Sequence, residues 1–445
     1  MNLQNSVAIL AQTFYDRQRM SSATAGESGN APTAAAMLIR AREMRPRLIE
    51  RQAETERLTY YPEATHEEFL DAGLYRMLVP IRFGGYEFDL PSFWRVIIEL
   101  ARGCPSSAWS VCLASGHALQ VASLFAPDVQ AELFGDGHFL CAAVAAPAGS
   151  AQRVEDGWLL NSTHPYSSGA PYSTHYMGQT FGPTTESEKP PLLLFVAPRS
   201  EWTMLDDWGA TLGLKGSGSH SVRFDNAHVP SRYVLEDTWL LDGSRAGPDG
   251  TPGSRLHSNP MYAGRWLSFF QGELSAVMVG AAQGALDEYV ALLRTKKTQR
   301  PPIVARAEDP DYQRWLGLAI GRVATAEAAL IQCAEQWMDL CRRAAQDKIP
   351  FTHEDDMRLN VVAREALTLA WDAMQGQIFR TAGTSAARNG ERIERIFRDM
   401  AIGWGHFGTI AGDWAARELA RAHLGVSADA ELSRPDRPRT EREHA

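Results

Sequence analysis

The sequence predicts an α+β protein laid out in three consecutive blocks: a helical N-terminal region, a β-rich middle and a long helical C-terminal region. Three observations carry this. Apolar residues recur at helical spacing through most of 36–125. From about 139 to 240, short apolar runs alternate with Gly, Pro, Ser and Asp. From 261 to about 424 the helical period returns in four long segments.

Taken in order, residues 1–35 form an N-terminal segment that ends in the small, polar stretch SSATAGESGNAPTAA, expected to be a flexible link. The N-terminal helical domain spans 36–138. It opens on MLIRAREMRPRLIERQAETER, where Pro46 predicts a kink. A helix follows at 66–74, ended by Gly73, then a Gly84-Gly85 turn and helices at 92–102 and 108–125. The middle β-domain covers 139–240, with FLCAAVA, GWLLNST, HYMGQTF, LLLFVAP and HSVRFDNAHV as its strand-like runs. Residues 241–260 are a Gly/Pro/Ser loop too long for a plain connector, expected to be a lid or an interface arm. A helical bundle fills 261–424, and 425–445 is a charged tail.

Composition narrows the function. The chain has 445 residues, 44% hydrophobic and 22% charged, with a net charge of −9. That balance suits a globular enzyme and argues against nucleic-acid or anionic-membrane partners, which require clustered Lys and Arg. No uninterrupted apolar run approaches the ~18 residues of a membrane span. The first residues lack a basic stretch ahead of an apolar core, so no secretory signal is expected. The five cysteines are scattered with no metal-ligand spacing, as expected of reduced thiols in a cytoplasmic protein.

Four motifs bear on chemistry. Gly213-Leu214-Lys215-Gly216-Ser217-Gly218-Ser219 places three glycines within six residues, so backbone can approach a ligand and the serines can offer hydroxyls. Read alone it is also an ordinary tight turn. It is neither a Walker loop nor a dinucleotide fingerprint. Gly157-Trp158 leads to His164-Pro165-Tyr166-Ser167-Ser168-Gly169, where Ser168 read alone is a turn hydroxyl. Trp109 and His117 are eight residues apart, just over two helical turns, and so share roughly one face. Arg398-Asp399 precedes Gly403-Trp404-Gly405-His406-Phe407-Gly408-Thr409. Alone, His117 would be an interior histidine bonded to a carbonyl, His406 a helix-end histidine, and Arg398/Asp399 a structural pair. Trp202 and Trp208 do not discriminate, His66-Glu67-Glu68 lacks the second histidine of a zinc helix, and the Met and Trp positions of 312–341 follow core or interface spacing.

Together these motifs, across about residues 36–424, resemble the acyl-CoA dehydrogenase superfamily, and within it the two-component flavin-dependent monooxygenases such as the p-hydroxyphenylacetate hydroxylase oxygenase component. The resemblance implies a helical N-domain, a β-barrel-like middle domain, a C-terminal four-helix bundle and a homotetramer. It implies reduced flavin (FMNH2 or FADH2) from a separate flavin reductase, O2, and insertion of one oxygen atom into a small aromatic, phenolic substrate through a flavin C4a-hydroperoxide. In the dehydrogenases a glutamate follows the Arg-Asp helix; here that turn reads His406-Phe407-Gly408-Thr409. By resemblance His117 contacts the phenol oxygen, Ser168 meets flavin N5, and His406 faces flavin C4a. Trp109, Gly169, Lys215, Gly216, Ser217, Ser219 and Arg265 then line or hold flavin. Two alternatives stay open: an acyl-CoA dehydrogenase with its base near Phe269-Phe270, Glu273 being the closest acid, and an N- or S-oxygenating monooxygenase of the same fold. A flavin-free binding scaffold is disfavoured by the serine-glycine elements.

Overall fold

The computed structural model describes residues 31–135, 137–183, 190–241 and 250–426; residues 1–30, the 242–249 part of the long loop, and the tail from 427 lie outside them. Six helices open the described chain: α1 (Ala34–Glu50), α2 (Gln52–Leu58), α3 (Glu63–Ala72), α4 (Leu90–Gly103), α5 (Pro105–Leu124) and α6 (Pro127–Phe134). Pro46 lies inside α1, which runs on past it. α4 and α5 begin ahead of the expected 92 and 108 because Pro91 and Pro105 occupy first-turn positions, where a missing N–H costs nothing. Asp89 caps α4 by accepting the Ser92 backbone N–H. α5 is apolar all round because it is buried all round: Trp109, Val111, Cys112, Leu119 and Val121 each expose 3% or less.

The middle block is one mixed sheet. Its strands are β1 (Cys141–Ala143), β2 (Ser150–Arg153), β3 (Gly157–His164), β4 (His175–Phe181), β5 (Leu192–Pro198), β6 (Thr203–Met204), β7 (Val222–Pro230) and β8 (Val234–Glu236). They lie in the order β6-β7-β3-β2-β4-β5-β8, with β1 parallel to β4. β3 and β7 pair antiparallel from Gly157 opposite Pro230 to His164 opposite Val222, with an irregularity between Leu160 and Ser162. β5 is a continuous apolar run, buried from Leu192 to Ala197, whereas the first residues of β7 alternate buried and exposed. The strand-rich block thus holds two loops in place: 165–169 after β3, and 205–221 between β6 and β7.

The stretch read from sequence as a loop also holds a short helix, α7 (Pro252–Leu256). Its Thr-Pro-Gly-Ser opening is helix-start chemistry: Thr251 accepts the Ser254 N–H, and Pro252 takes the first turn. The C-terminal block is α8 (Trp266–Thr295), α9 (Pro310–Arg342), α10 (His353–Ala373), the single turn α11 (Arg380–Ala382), α12 (Arg392–Trp404) and α13 (Phe407–His423). The last of the four expected segments is broken at Gly405-His406 into α12 and α13. By length and composition α8 and the stretch Pro310–Asp347 are apolar enough to cross a membrane, which a search for uninterrupted apolar runs misses. α8 uses that apolarity inside the fold, with Phe269, Ala276, Val279 and Ala282 fully buried.

Candidate active site

Trp109 is the hub of the site. Its indole N–H donates to Ser168 Oγ at 3.0 Å, and its ring meets His406 edge to face with centroids 5.3 Å apart. One side chain of α5 thereby joins the loop after β3 to the turn between α12 and α13. The two β-domain loops are laced by backbone: Ser167 N–H donates to His220 O and Gly169 N–H to Ser217 O. Gly169 sits at φ +79°, which turns the chain just after Ser168. Ser168 Oγ lies 2.8 Å from Ser219 Oγ, which is 2.6 Å from Ser217 Oγ, and Ser217 Oγ donates to Leu214 O at 2.8 Å.

The glycine-serine strip is fixed at its other end by the Arg-Asp pair. Leu214 N–H donates to Asp399 Oδ1 at 2.6 Å, and a Cβ on Gly213 would stand 2.1 Å from the Arg398 carbonyl oxygen. Only glycine allows this approach. Burial raises the Asp399 carboxyl to about 7. Arg398 reaches Glu56 at 2.9 Å and Leu212 O at 2.9 Å, tying α2, the strip and α12 together. Both residues hold other parts of the protein in place, as a structural pair does.

The two histidines are set in opposite tautomers. His117 Nδ1 lies 2.8 Å from Cys141 O; a carbonyl only accepts, so Nδ1 carries the hydrogen and Nε2 is a bare acceptor. Burial lowers its pKa to about 4, so the ring is neutral near pH 7. His406 Nδ1 instead accepts the Gly408 backbone N–H at 3.1 Å, capping α13, so the hydrogen of its neutral ring is on Nε2. His406 keeps surface open to water, yet crowding protein lowers its pKa to about 4. Phe270 from α8 stands 6.0 Å from the His117 ring, and the next residue, Gln271, points Oε1 toward Gly408, 3.7 Å from where a Cβ there would be.

The acids are elsewhere. Phe407 occupies the turn position after His406. Glu273 is fully buried, with Oε1 against Gly116 and Oε2 without a hydrogen-bond partner, and burial pushes its carboxyl well above the usual range. A sealed acid has no access to a substrate proton. Arg265 lies 3.6 Å from Asp356, which accepts the Ser268 N–H at the start of α8. Lys215, by contrast, is half-buried with no ion pair or hydrogen bond among the described residues. Sequence reasoning missed Gln271; its signal was a polar residue two positions before Glu273, between Ser268 and Ser275, in the mostly apolar first half of α8.

Residues 35–134 match the acyl-CoA dehydrogenase N-terminal domain and residues 273–410 the acyl-CoA dehydrogenase C-terminal domain, together more than half of the chain. The chain belongs to the acyl-CoA dehydrogenase family. It is 29% identical over 370 residues to a pigment production hydroxylase of a Rhodococcus species, covering 82% of this chain and 90% of that one. It is 26% identical over 408 residues to the p-hydroxyphenylacetate 3-hydroxylase oxygenase component of Acinetobacter baumannii, covering 88% and 90%. The structure of XiaF from a Streptomyces species, in complex with FADH2 and glycerol, superposes with a TM-score of 0.79 at 22% identity, over 88% of this chain and 96% of that one.

The residues of this family member fit a flavin. The site offers an aromatic face in Trp109 and an N–H donor in His406. It also has the Ser168 hydroxyl and an amide oxygen of Gln271 without a hydrogen-bond partner, while Lys215 on the glycine-serine strip is unpaired among the described residues. On the family's scaffold the carboxylate expected at the α12–α13 turn is replaced by Phe407, so proton abstraction there is closed.

Proposed function

We propose that this protein is the oxygenase component of a two-component system, inserting one atom of O2 into a phenolic substrate with FMNH2 or FADH2 delivered by a separate flavin reductase. The observation that carries the reading is the junction of Trp109, Ser168 and His406, with a neutral His117 two turns further along the same helix and no free carboxylate among them. Bound reduced flavin supplies the two electrons that leave one oxygen atom on the substrate and the other in water.

The chain's own residues do the rest. His117 offers the bare Nε2 lone pair to a phenol O–H, drawing the proton away and making the ring carbons more electron-rich. Its Nδ1–H, anchored on Cys141 O, holds the imidazole in that tautomer. His406 presents an Nε2–H donor toward oxygen. Ser168 and Trp109 position the flavin ring, Ser217 and Ser219 brace Ser168, and Lys215 is available to a flavin phosphate. Phe270 and Trp109 keep the reacting region dry. Arg265 is the weaker candidate for flavin contact, because Asp356 already occupies it.

Two further assignments support the system as a whole. Exposed Leu318 and Ile320 on α9 favour a homotetramer formed through the C-terminal helices. Five free, buried cysteines favour the cytoplasm. The test is to mix the protein anaerobically with FMNH2 or FADH2 and a panel of phenols, then admit 18O2. One labelled oxygen in a catechol-type product supports the reading. Flavin reoxidation at its free-solution rate with no labelled product overturns it, and bleaching of bound oxidised FAD by an acyl-CoA would restore the dehydrogenase alternative.

A further inference from the structure

Of the 20 residues of α5, Leu113 alone is not buried. It stands one turn from Trp109 and one turn from His117, so the three form a row along one face. Protein covers the rest of the helix, and the half-buried Leu113 is where that cover leaves room. Phe270 repeats the pattern on α8. It is half-buried between Phe269 at 0% and Gln271 at 2%, with its ring 6.0 Å from His117. Three stretches of chain meet at His117: α5 itself, residues 139–152 around the Cys141 carbonyl that holds the imidazole, and the opening turns 266–272 of α8. Together they contain no Asp, Glu, Lys or Arg. Arg265, just ahead of α8, is already held by Asp356 at 3.6 Å. The strip that carries Lys215 meets α5 at Trp109, two turns from His117.

The uncommitted polar atoms along this face are acceptors. His117 offers Nε2. Gln120, one turn on, directs its amide NH2 to Leu240 O at 3.2 Å and keeps an Oε1 without a partner. Gln271, beside Phe270, directs its NH2 to Ser275 Oγ at 3.3 Å and is likewise left with a bare Oε1. Ser115, whose hydroxyl is also unpartnered, lies on the opposite side of α5. We infer that the substrate is a neutral phenol whose remaining surface is apolar, its hydroxyl being the polar group recognised here, and that carboxylated phenols are rejected. The inference rests on the oxygenase reading above and narrows its substrate class. A carboxylate can only accept, so beside these oxygens and this lone pair it finds neither a cation nor an N–H, and its lost hydration goes unreplaced. A phenol O–H donates once, to His117 Nε2, and is satisfied. An alkyl or aryl substituent gains by leaving water for the space at Leu113 and Phe270. Leu113 is thus a specificity-determining residue.

The experiment is an internal competition. Protein charged anaerobically with FMNH2 or FADH2 receives equal amounts of 4-hydroxyphenylacetate and its neutral isostere 4-isobutylphenol, then 18O2, and the two labelled products are counted by mass spectrometry. Their ratio is the ratio of kcat/KM, and wild type is expected to favour the isobutyl compound by at least about 100-fold. Leu113→Lys sets a cation on the same face and should shrink that preference by at least about tenfold, whereas Leu113→Met, which stays apolar, should retain it. Should Leu113→Lys fail to fold by circular dichroism, Leu113→Gln brings an uncharged N–H donor and must narrow the ratio in the same sense. Equal or better use of the carboxylate by wild type overturns the inference, as does an unchanged ratio in the folded lysine variant, and either leaves the oxygenase reading standing. Labelled product from neither phenol also overturns it. If reduced flavin then reoxidises at its free-solution rate as well, the oxygenase reading falls with it.

Discussion

At His117 and His406 one backbone contact each decides which ring nitrogen is left free. His117→Asn can still donate to Cys141 O but presents no basic nitrogen, so product formed per flavin oxidised should fall on the order of 10²-fold while flavin still binds. A product yield unchanged from wild type would remove His117 from the chemistry. With a pKa of about 4, His117 is already neutral well below pH 7, so its protonation should limit turnover only as pH approaches 4. A product-formation profile that titrates near 6.5 would contradict the buried, neutral setting. His406→Asn keeps a capping acceptor and loses the Nε2–H, whereas His406→Leu loses both. Leucine alone should therefore lower the urea midpoint, by about 1 kcal/mol of stability, while both variants lose product yield. Sequence spacing put Trp109 and His117 on one helix face. It was silent on their tautomers, because Cys141 and Gly408 are partners supplied by tertiary folding.

Among the elements, the α5–α8 contact closes on Gly116, where a Cβ would stand 1.8 Å from Glu273 Oε1. Gly116→Ala should cost about 1–3 kcal/mol in chemical denaturation, as overpacking does. Glu273→Met, which replaces an unsatisfied buried acid with an apolar chain of similar length, should be neutral or stabilising. A large loss in the methionine variant would show that the acid has an unseen partner. Helices and strands were legible from period alone, since α5, α8 and β5 are long apolar runs with clear punctuation. Helix starts were less so, because proline reads as a breaker in sequence and acts as a first-turn residue at Pro91, Pro105 and Pro252. Arg265 shows the same limit for the site: its partner Asp356 lies 91 residues away, on another helix.

For the whole molecule, burial of neutral histidines sets an acid limit. His66 is lowered to about 3, and His117, His164, His175 and His257 to about 4, from an ordinary 6.5. Between 6.5 and 4 the unfolded chain binds protons that the folded chain refuses, so stability falls as pH falls through that window. Asp399 opposes them, as do the buried, raised carboxyls of Glu273 and Asp356 and the half-buried Glu87. The Asp399 carboxyl is raised from 3.8 to about 7, so its contribution is greatest at low pH and is lost as pH rises toward 7. The histidines, His220 among them, outnumber these acids, and the melting temperature should drop from pH 6.5 to 4.5. Asp399→Asn removes one opposing group and should steepen that drop while gaining relative stability at pH 8. A melting temperature flat across the range would contradict both statements. The order of the three blocks was legible in the sequence because each block has its own hydrophobic period. The junction between blocks was not, because Gly213 against Arg398 and Trp109 against Ser168 link positions far apart in the chain.

The opposed histidines carry one more consequence. A relay histidine accepts a proton on one nitrogen and releases another from the far side. Neither ring here can do so, since the far nitrogen of each is committed to backbone. His406 can therefore only lend a hydrogen bond, and His117 is a single-berth acceptor. In the proposed reaction a proton taken by His117 must leave through the same nitrogen that received it. The pace at which the site rearms would then be set by how readily that one nitrogen meets water or product.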